Sequence, residues 1–373
     1  MRWKECVITM AAKKTGISLD LIIHPGETLA EVLEERGITQ VDLAAHTGVS
    51  PAHVSNVISG KKAISPKFAM ALEYALGVPK SFWINLQANY EAELLEATEE
   101  FTITEDERNV CRSLSEVITF LRKIRAIPDV QRVEDTILSL RKLLQISSIY
   151  NLGVLVPEGA FRMSSKATVD PVVMGAWLRL CQITGETHRV DTRFSKDNVK
   201  ALISEIKQIM ITPHCDVQKE LEKVMGRYGI AFSVIPNFKG APVHGYISLK
   251  KDGSYQMTLT IRGSFADIFW FSLFHELGHI VNGDVSKCSR YIDTNEDKDA
   301  RKEIAADSFA SDALMDAESY CNFVRRADFS INAICRYAAT QKVMPYIVIG
   351  RLQKDGHIPY SWYSDHKLRY KWA

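Results

Sequence analysis

The sequence predicts a multidomain chain with an all-α N-terminal domain, a helical middle region and an α+β C-terminal domain. Short, well-capped helices follow one another from Pro25 to about residue 100, and helical apolar periods continue to about residue 210. Strand and hairpin patterns appear only after Pro213. The 373 residues suffice for two or three domains. The predicted divisions are a polar tail over residues 1–20 and domains over residues 21–100, 101–210 and 211–373.

The composition is that of an ordinary globular protein, and it excludes a disordered, a collagen-like or a coiled-coil chain. The 46 Lys and Arg residues nearly balance the 45 Asp and Glu residues, so any contact with DNA must come from a local patch. No apolar stretch approaches the roughly 20 residues that span a bilayer, so we expect no membrane partner. The seven cysteines are scattered without a CxxC pair, which suits free thiols in a reducing compartment. We therefore expect a cytoplasmic protein.

Caps delimit the first helices. Pro25 opens a helix that Gly37 ends. Thr39 caps the next helix, and Ser50 caps the one after it, with a glycine-containing turn between them. Two short helices joined in this way indicate a helix–turn–helix. Its inner face is predicted to comprise Leu43, Ala44, Val49, Val54 and Ile58.

The second helix of this motif carries no charged residue, and Lys61 and Lys62 follow it. This arrangement suits a helix that lies in the major groove while lysines reach the flanking phosphates, and such motifs bind paired half-sites as dimers. We therefore expect a homodimer on a double-stranded DNA operator. The alternative is a protein-interaction module without DNA binding. The predicted DNA-contacting residues are Gln40 and Ser50 at helix starts, Ala52, His53, Ser55 and Asn56 at base edges, and Lys61 and Lys62.

The most informative segment is SFADIFWFSLFHELGHIVNG, residues 264–283, which predicts one mostly buried helix capped by Ser264. His275 and His279 lie one turn apart on the same helix face, so both imidazoles can reach one metal ion. Glu276 can accept a proton from water at such a site, and zinc supplies the Lewis acidity that peptide hydrolysis needs. The alternative is a fortuitous pair of structural histidines.

A downstream helix, DARKEIAADSFASDALM over residues 299–315, supplies a third candidate ligand. Glu303 and Asp307 are one turn apart, on a face that also carries Ala310 and Leu314. Carboxylates buried beside apolar residues need partners, and metal ligation provides one. We therefore predict Glu303 as the third zinc ligand and Asp307 as the acceptor of a ligating histidine's other ring N–H.

Spacing does not identify an oxyanion-stabilising residue. His244, Tyr246, Tyr291 and His357 are candidates, and an ordinary structural role is the alternative for each. Further upstream, Thr104 and Glu107 have the spacing of a capping box at the start of a helix.

Two resemblances extend these predictions. The stretches FWFSLFHELGHIVNGD and EIAADSFASDALM resemble the ImmA/IrrE family of zinc metallopeptidases. That resemblance implies a zincin-like fold and an endopeptidase that uses Zn²⁺. The stretches HPGETLAEVLEERGITQVDLA and ISPKFAMALEYALGVP resemble XRE-type helix–turn–helix proteins, and more narrowly the HigA-type antitoxins. The chain departs from the peptidase pattern at Ala305, where relatives often carry Glu, and at Asp316, where they usually carry Pro.

Two functions are compatible with this pattern. The first is a DNA-binding regulator whose zinc endopeptidase domain cleaves a specific regulatory protein, a repressor or an antitoxin. The second is an antitoxin-like repressor whose C-terminal domain binds a toxin or senses a signal without proteolysis. The intact Glu276 favours the first, because binding alone needs no general base, and the antitoxin-like N-terminus favours the second.

Overall fold

The structure, a computed structural model, describes residues 2–3, 19–156, 169–188, 190–261, 264–285 and 296–372. The packing of the backbone divides the chain into two compact units. One is Ala12–Glu105, and the other combines Met1–Ala11 with Asp106–Ala373. The domain boundary predicted at residue 210 lies inside the second unit. Most of the predicted polar tail, and the candidate Tyr291, lie outside the described residues.

The first unit is a set of short helices around one apolar core. The helices are α1 (Pro25–Arg36), α2 (Gln40–Thr47), α3 (Pro51–Ile58), α4 (Pro66–Leu76) and α5 (Lys80–Thr98). Their predicted caps are confirmed, since Thr39 Oγ1 accepts from the backbone N–H of Asp42 and Ser50 Oγ accepts from that of His53. Gly48 takes the left-handed conformation that the turn between α2 and α3 requires. Fully buried core residues include Leu29, Leu43, Val54, Leu72 and Trp83.

The second unit begins with helices and continues into a small sheet. The helices are α6 (Glu105–Ser113), α7 (Ser115–Lys123), α8 (Val133–Leu144), α9 (Pro171–Thr187), α10 (Val199–Ile211) and α11 (Val217–Arg227). The strands are β1 (Arg2–Trp3), β2 (Ile230–Val234), β3 (Gly245–Leu249), β4 (Tyr255–Leu259) and β5 (Lys371–Trp372). The predicted hairpin is confirmed: β3 pairs antiparallel with β4, which lies between β3 and a parallel β2. The two-residue strands β1 and β5 pair in parallel.

The remaining helices complete this unit around α12. They are α12 (Ala266–Asn282), α13 (Glu296–Leu314), α14 (Ala317–Arg325), α15 (Ile331–Gln341) and α16 (Pro345–Lys354). Most apolar side chains of α12 are buried in one core, which includes Ile247 and Met257 of the sheet and Ile347 of α16. Gly278 brings α12 close to α13, because a Cβ at this position would lie 3.1 Å from the Cα of Ala306. Among the described residues, no helix has the length and apolarity to cross a bilayer.

The start of α12 differs from the prediction. Its N-cap residue is Phe265, whose side chain has no hydrogen-bonding group, and Ser264 has a left-handed φ of 57°. The C-terminal segment takes over the capping function, since the carbonyl of Leu368 accepts from the N–H of Ala266 at 2.9 Å. The predicted Ser264 cap is therefore wrong, because a distant part of the chain satisfies the helix start. Gly283 ends the helix as predicted.

Candidate metal centre and nucleic-acid interface

Two helices bring three potential metal ligands together. His275 Nε2 and His279 Nε2 lie 3.1 Å apart on α12. Glu303 on α13 places its carboxylate oxygens 3.2 Å from His275 Nε2 and 3.5 Å from His279 Nε2. Zinc bonds of about 2.0–2.1 Å in tetrahedral geometry separate neighbouring ligand atoms by about 3.3 Å. The spacing of the three side chains therefore fits a zinc ion.

Each histidine contacts a carboxylate through its other ring nitrogen, Nδ1. His275 Nδ1 lies 2.9 Å from Asp307 Oδ1, and His279 Nδ1 lies 2.9 Å from Asp284 Oδ2. Such carboxylates orient a metal-ligating imidazole and fix its tautomer. Sequence reasoning proposed Asp307 for this role and missed Asp284. The acidic residue directly after the glycine that ends α12 was the available signal.

These contacts favour a positive charge among the three side chains. When both Nδ1–H groups donate to carboxylates, neutral imidazoles present lone pairs at both Nε2 atoms. Those lone pairs would face each other and the oxygens of Glu303, an arrangement that either a proton on one imidazole or a bound cation stabilises. Burial alone would lower the pKa of His275, but the hydrogen bond to Glu303 and the nearby carboxylates raise this pKa to about 8. Burial lowers the pKa of His279.

Glu276 directly follows His275 on α12, and the charges of His275 and Glu303 act on its carboxyl group. Its carboxyl group packs against Gly245 at the start of β3, where any Cβ would collide with it. Burial raises the pKa of Glu276 to about 7; the opposing effect of His275 is smaller, and Glu303 adds to the rise. A carboxyl group with a pKa near neutrality can both accept and return a proton at physiological pH.

The predicted burial of the two carboxylates on α13 is wrong. The side chains of Glu303 and Asp307 are 49% and 48% exposed. The apolar stripe of the helix, with Ala306, Ala310 and Leu314, faces the core and leaves the carboxylates at its edge. The three-ligand cluster is therefore accessible from solvent on the α13 side.

Three of the alternative oxyanion candidates, His244, Tyr246 and His357, lie within the described residues. His244 is exposed just before β3, and Tyr246 is on the opposite face of that strand from Gly245, which contacts Glu276. The ring of His357 lies 6.0 Å from that of Phe329.

In the first unit, seven of the eight predicted DNA-contacting residues are exposed, and most of them lie on α3 or next to it. His53 differs, because its half-buried ring packs against Phe68 at 4.8 Å and its Nδ1 lies 3.0 Å from Lys62 Nζ. Burial, followed by the charge of Lys62, lowers the pKa of His53. The exposed residues of the predicted set are Gln40, Ser50, Ala52, Ser55, Asn56, Lys61 and Lys62.

Comparison with known proteins classifies this first unit. The helix-turn-helix family model matches residues 29–83. The HTH-type transcriptional regulator YddM of Escherichia coli is 30% identical over 64 residues, which are 17% of this chain and 68% of that protein. The chain belongs to the helix-turn-helix family.

Two further proteins are similar to this chain over short stretches. Virulence-associated protein A' of Dichelobacter nodosus is 36% identical over 69 residues, 18% of this chain and 60% of that protein. A solved structure described as an antidote protein of a plasmid maintenance system, from Nostoc punctiforme, has 34% identity and a TM-score of 0.20. It covers 21% of this chain and 89% of its own. The three-ligand cluster lies outside residues 29–83.

Proposed function

We propose that this helix-turn-helix regulator is also a zinc-dependent endopeptidase of the ImmA/IrrE type, with a zincin-like second unit. One observation carries the proposal: His275, His279 and Glu303 converge at zinc-like spacing with Glu276 beside them. Binding alone would not need a carboxyl group that directly follows one of the potential ligands and is not itself one of them. Its substrate is a peptide bond in a regulatory protein, a repressor or an antitoxin.

The roles of the residues follow from their positions. Zinc, when bound, supplies a Lewis acid that polarises a carbonyl group and makes water more acidic. His275, His279 and Glu303 hold it, while Asp307 and Asp284 keep the imidazoles in the ligating tautomer. Glu276 removes the proton of the attacking water and delivers it to the leaving amine.

Replacing the third ligand should remove the metal. We expect the purified wild-type chain to contain about one zinc per chain, and Glu303→Ala to contain little, because two histidines alone hold zinc weakly. Elemental analysis after dialysis measures the difference. Asp312→Ala is the matched control, since Asp312 is an exposed carboxylate on the same helix.

Equal zinc in Glu303→Ala and in the control would contradict the ligand assignment. A zinc-free wild type after supplementation would contradict the metal site itself. The regulator would then fit the alternative function, in which the second unit binds a toxin or senses a signal without proteolysis.

The DNA-binding part of the proposal depends on the lysines after α3. Both side chains are exposed next to the exposed residues of that helix, so we infer that they contact phosphates on either side of the major groove. A homodimer would place two such helices on paired half-sites.

The double variant Lys61→Ala/Lys62→Ala should bind operator and random DNA more weakly to a similar degree. The slope of log K against log salt should become shallower by about 0.9 for each phosphate that a lysine no longer neutralises. Fluorescence anisotropy over a salt series measures the slope. Lys80→Ala is the control, because Lys80 pairs with Glu73 at 3.7 Å in the same unit. An unchanged slope in the double variant would show that neither lysine neutralises a phosphate.

A further inference from the structure

His53, on α3, has neither ring nitrogen free for a DNA base. Its Nδ1 lies 3.0 Å from Nζ of Lys62. An ammonium group has donors only, so Nδ1 is the acceptor of this hydrogen bond, and the single proton of the neutral ring is on Nε2. Nε2 is itself buried, and it has no hydrogen-bond partner among the described residues. The ring therefore interacts with Lys62 and offers no polar atom to a base edge.

The core of the first unit fixes the ring of His53. The ring is half-buried, and it packs edge-on against the ring of Phe68 with 4.8 Å between the centroids. Phe68 is itself buried in the apolar core of this unit. Aromatic rings attract each other in this edge-to-face arrangement. The Nδ1 acceptor thus has a defined position, unlike an acceptor on a free surface side chain.

The backbone holds Lys62 at the same end of α3. Gly60 has a left-handed φ of 72°, which lets the chain turn back after the helix. The N–H groups of Lys61 and Lys62 then both donate to the carbonyl of Asn56, at 2.8 Å and 3.0 Å. Asn56 lies one helical turn after His53, on the same side of the helix. Lys62 is therefore attached to α3 through its backbone and through its side chain.

We propose that His53 positions Lys62 for its contact with a DNA phosphate. The hydrogen bond to Nδ1 uses one N–H of the ammonium group and leaves the others for phosphate oxygens. A lysine that is ordered before it binds loses less side-chain freedom on binding, and this loss is worth about a factor of two to ten in affinity. His53 thus acts on DNA only through Lys62. The inference rests on the proposed contact between Lys62 and the phosphates.

Two replacements of His53 separate the hydrogen bond from the ring packing. His53→Phe keeps a ring against Phe68 and removes the acceptor, whereas His53→Asn removes the ring and keeps an acceptor at the δ position. We expect His53→Phe to weaken DNA binding about twofold to tenfold for each bound protomer, and His53→Asn to keep most of the affinity. Fluorescence anisotropy of the full-length chain with a random-sequence duplex measures both, and circular dichroism checks their folding. The opposite order of affinities would overturn the proposal.

A double-mutant cycle tests the dependence on Lys62. His53→Phe should weaken the wild type but should not further weaken Lys62→Ala, because the two side chains act as a unit. Lys61→Ala is the matched control, since no hydrogen bond joins the Lys61 side chain to His53 in the described part of the chain. In that cycle the two losses should add. Additive losses in the Lys62 cycle as well would contradict the positioning role.

The dependence on DNA sequence distinguishes positioning from base reading. Phosphate contacts carry no sequence information, so His53→Phe should weaken binding to random DNA as much as binding to a duplex selected with the wild-type chain. A loss confined to the selected duplex would mean that His53 contacts a base, against the proposal. If Lys62→Ala binds random DNA as the wild type does, the proposed lysine–phosphate contact fails, and the role of His53 fails with it. If only His53→Phe binds as the wild type does, the role of His53 alone is refuted.

Discussion

Glu276→Gln should lose hydrolysis by about a hundredfold to ten-thousandfold, the usual contribution of a general base, while it keeps its zinc. Glutamine has the size of glutamate but cannot accept the proton of the attacking water. Glu276 packs against Gly245 and is not one of the three converging ligands, so its replacement leaves the metal-binding atoms in place.

The measurement is the appearance of new protein N-termini in an extract of cells that lack this chain. Zinc-loaded wild type, Glu276→Gln and the control Asp312→Asn are added separately, and the zinc content of each is determined in parallel. Equal cleavage by Glu276→Gln and wild type would refute the assignment of the base. Absence of cleavage by the zinc-loaded wild type would favour the binding function.

Glu107→Ala should destabilise the second unit by about 3–5 kcal/mol, because it leaves a buried arginine without its partner. The Glu107 side chain is 2% exposed and that of Arg141 is 10% exposed. Arg141 Nε donates to Glu107 Oε1 at 3.1 Å, and the N–H of Ile149 donates to the same oxygen at 3.0 Å. The carboxylate thus connects α6, α8 and the short 3₁₀ turn that begins at Ile149.

A neighbouring ion pair supplies the matched control. Arg108 and Glu134 also join α6 to α8, at 3.2 Å, but their side chains are 33% and 25% exposed. Glu134→Ala should therefore cost only about 0.2–1 kcal/mol. Urea denaturation followed by circular dichroism compares the two variants. Equal costs would show that burial does not determine the strength of the Glu107 pair.

The carboxylate of Glu107 should also make the folding stability of the second unit depend on pH. Burial alone would raise the pKa of Glu107, but hydrogen bonds from Arg141, Ser148 and Ile149 together lower it below its usual value of 4.5. A pKa that is lower in the folded than in the unfolded chain contributes stability above pH 4.5, and that contribution is lost as the pH falls through the folded value. The stability difference between wild type and Glu107→Gln should therefore shrink below pH 4.5. A constant difference down to acid unfolding would contradict this assignment.

Features of this protein that depend on neighbouring residues in the chain agree with the predictions from its sequence. The caps at Thr39 and Ser50, the β3–β4 hairpin and the alignment of His275 with His279 all follow from neighbours in the chain. The start of α12 could not be predicted from neighbouring residues. The N–H of Ala266 donates to the carbonyl of Leu368, far along the chain, and Ser264 does not cap the helix. The ion pair of Glu107 could not be predicted either, because the capping-box spacing of Thr104 and Glu107 contains no information about Arg141.

The sequence by itself determined that this protein has a helix-turn-helix and a helix with two histidines one turn apart, because helix periodicity and capping are short-range properties. It also indicated that Glu303 and Asp307 could join the histidines. Only the tertiary structure decided that Glu303 meets both imidazoles, that Asp284 supports His279 and that Gly245 leaves room for Glu276. Those contacts join separate elements, and their distances depend on how the elements pack.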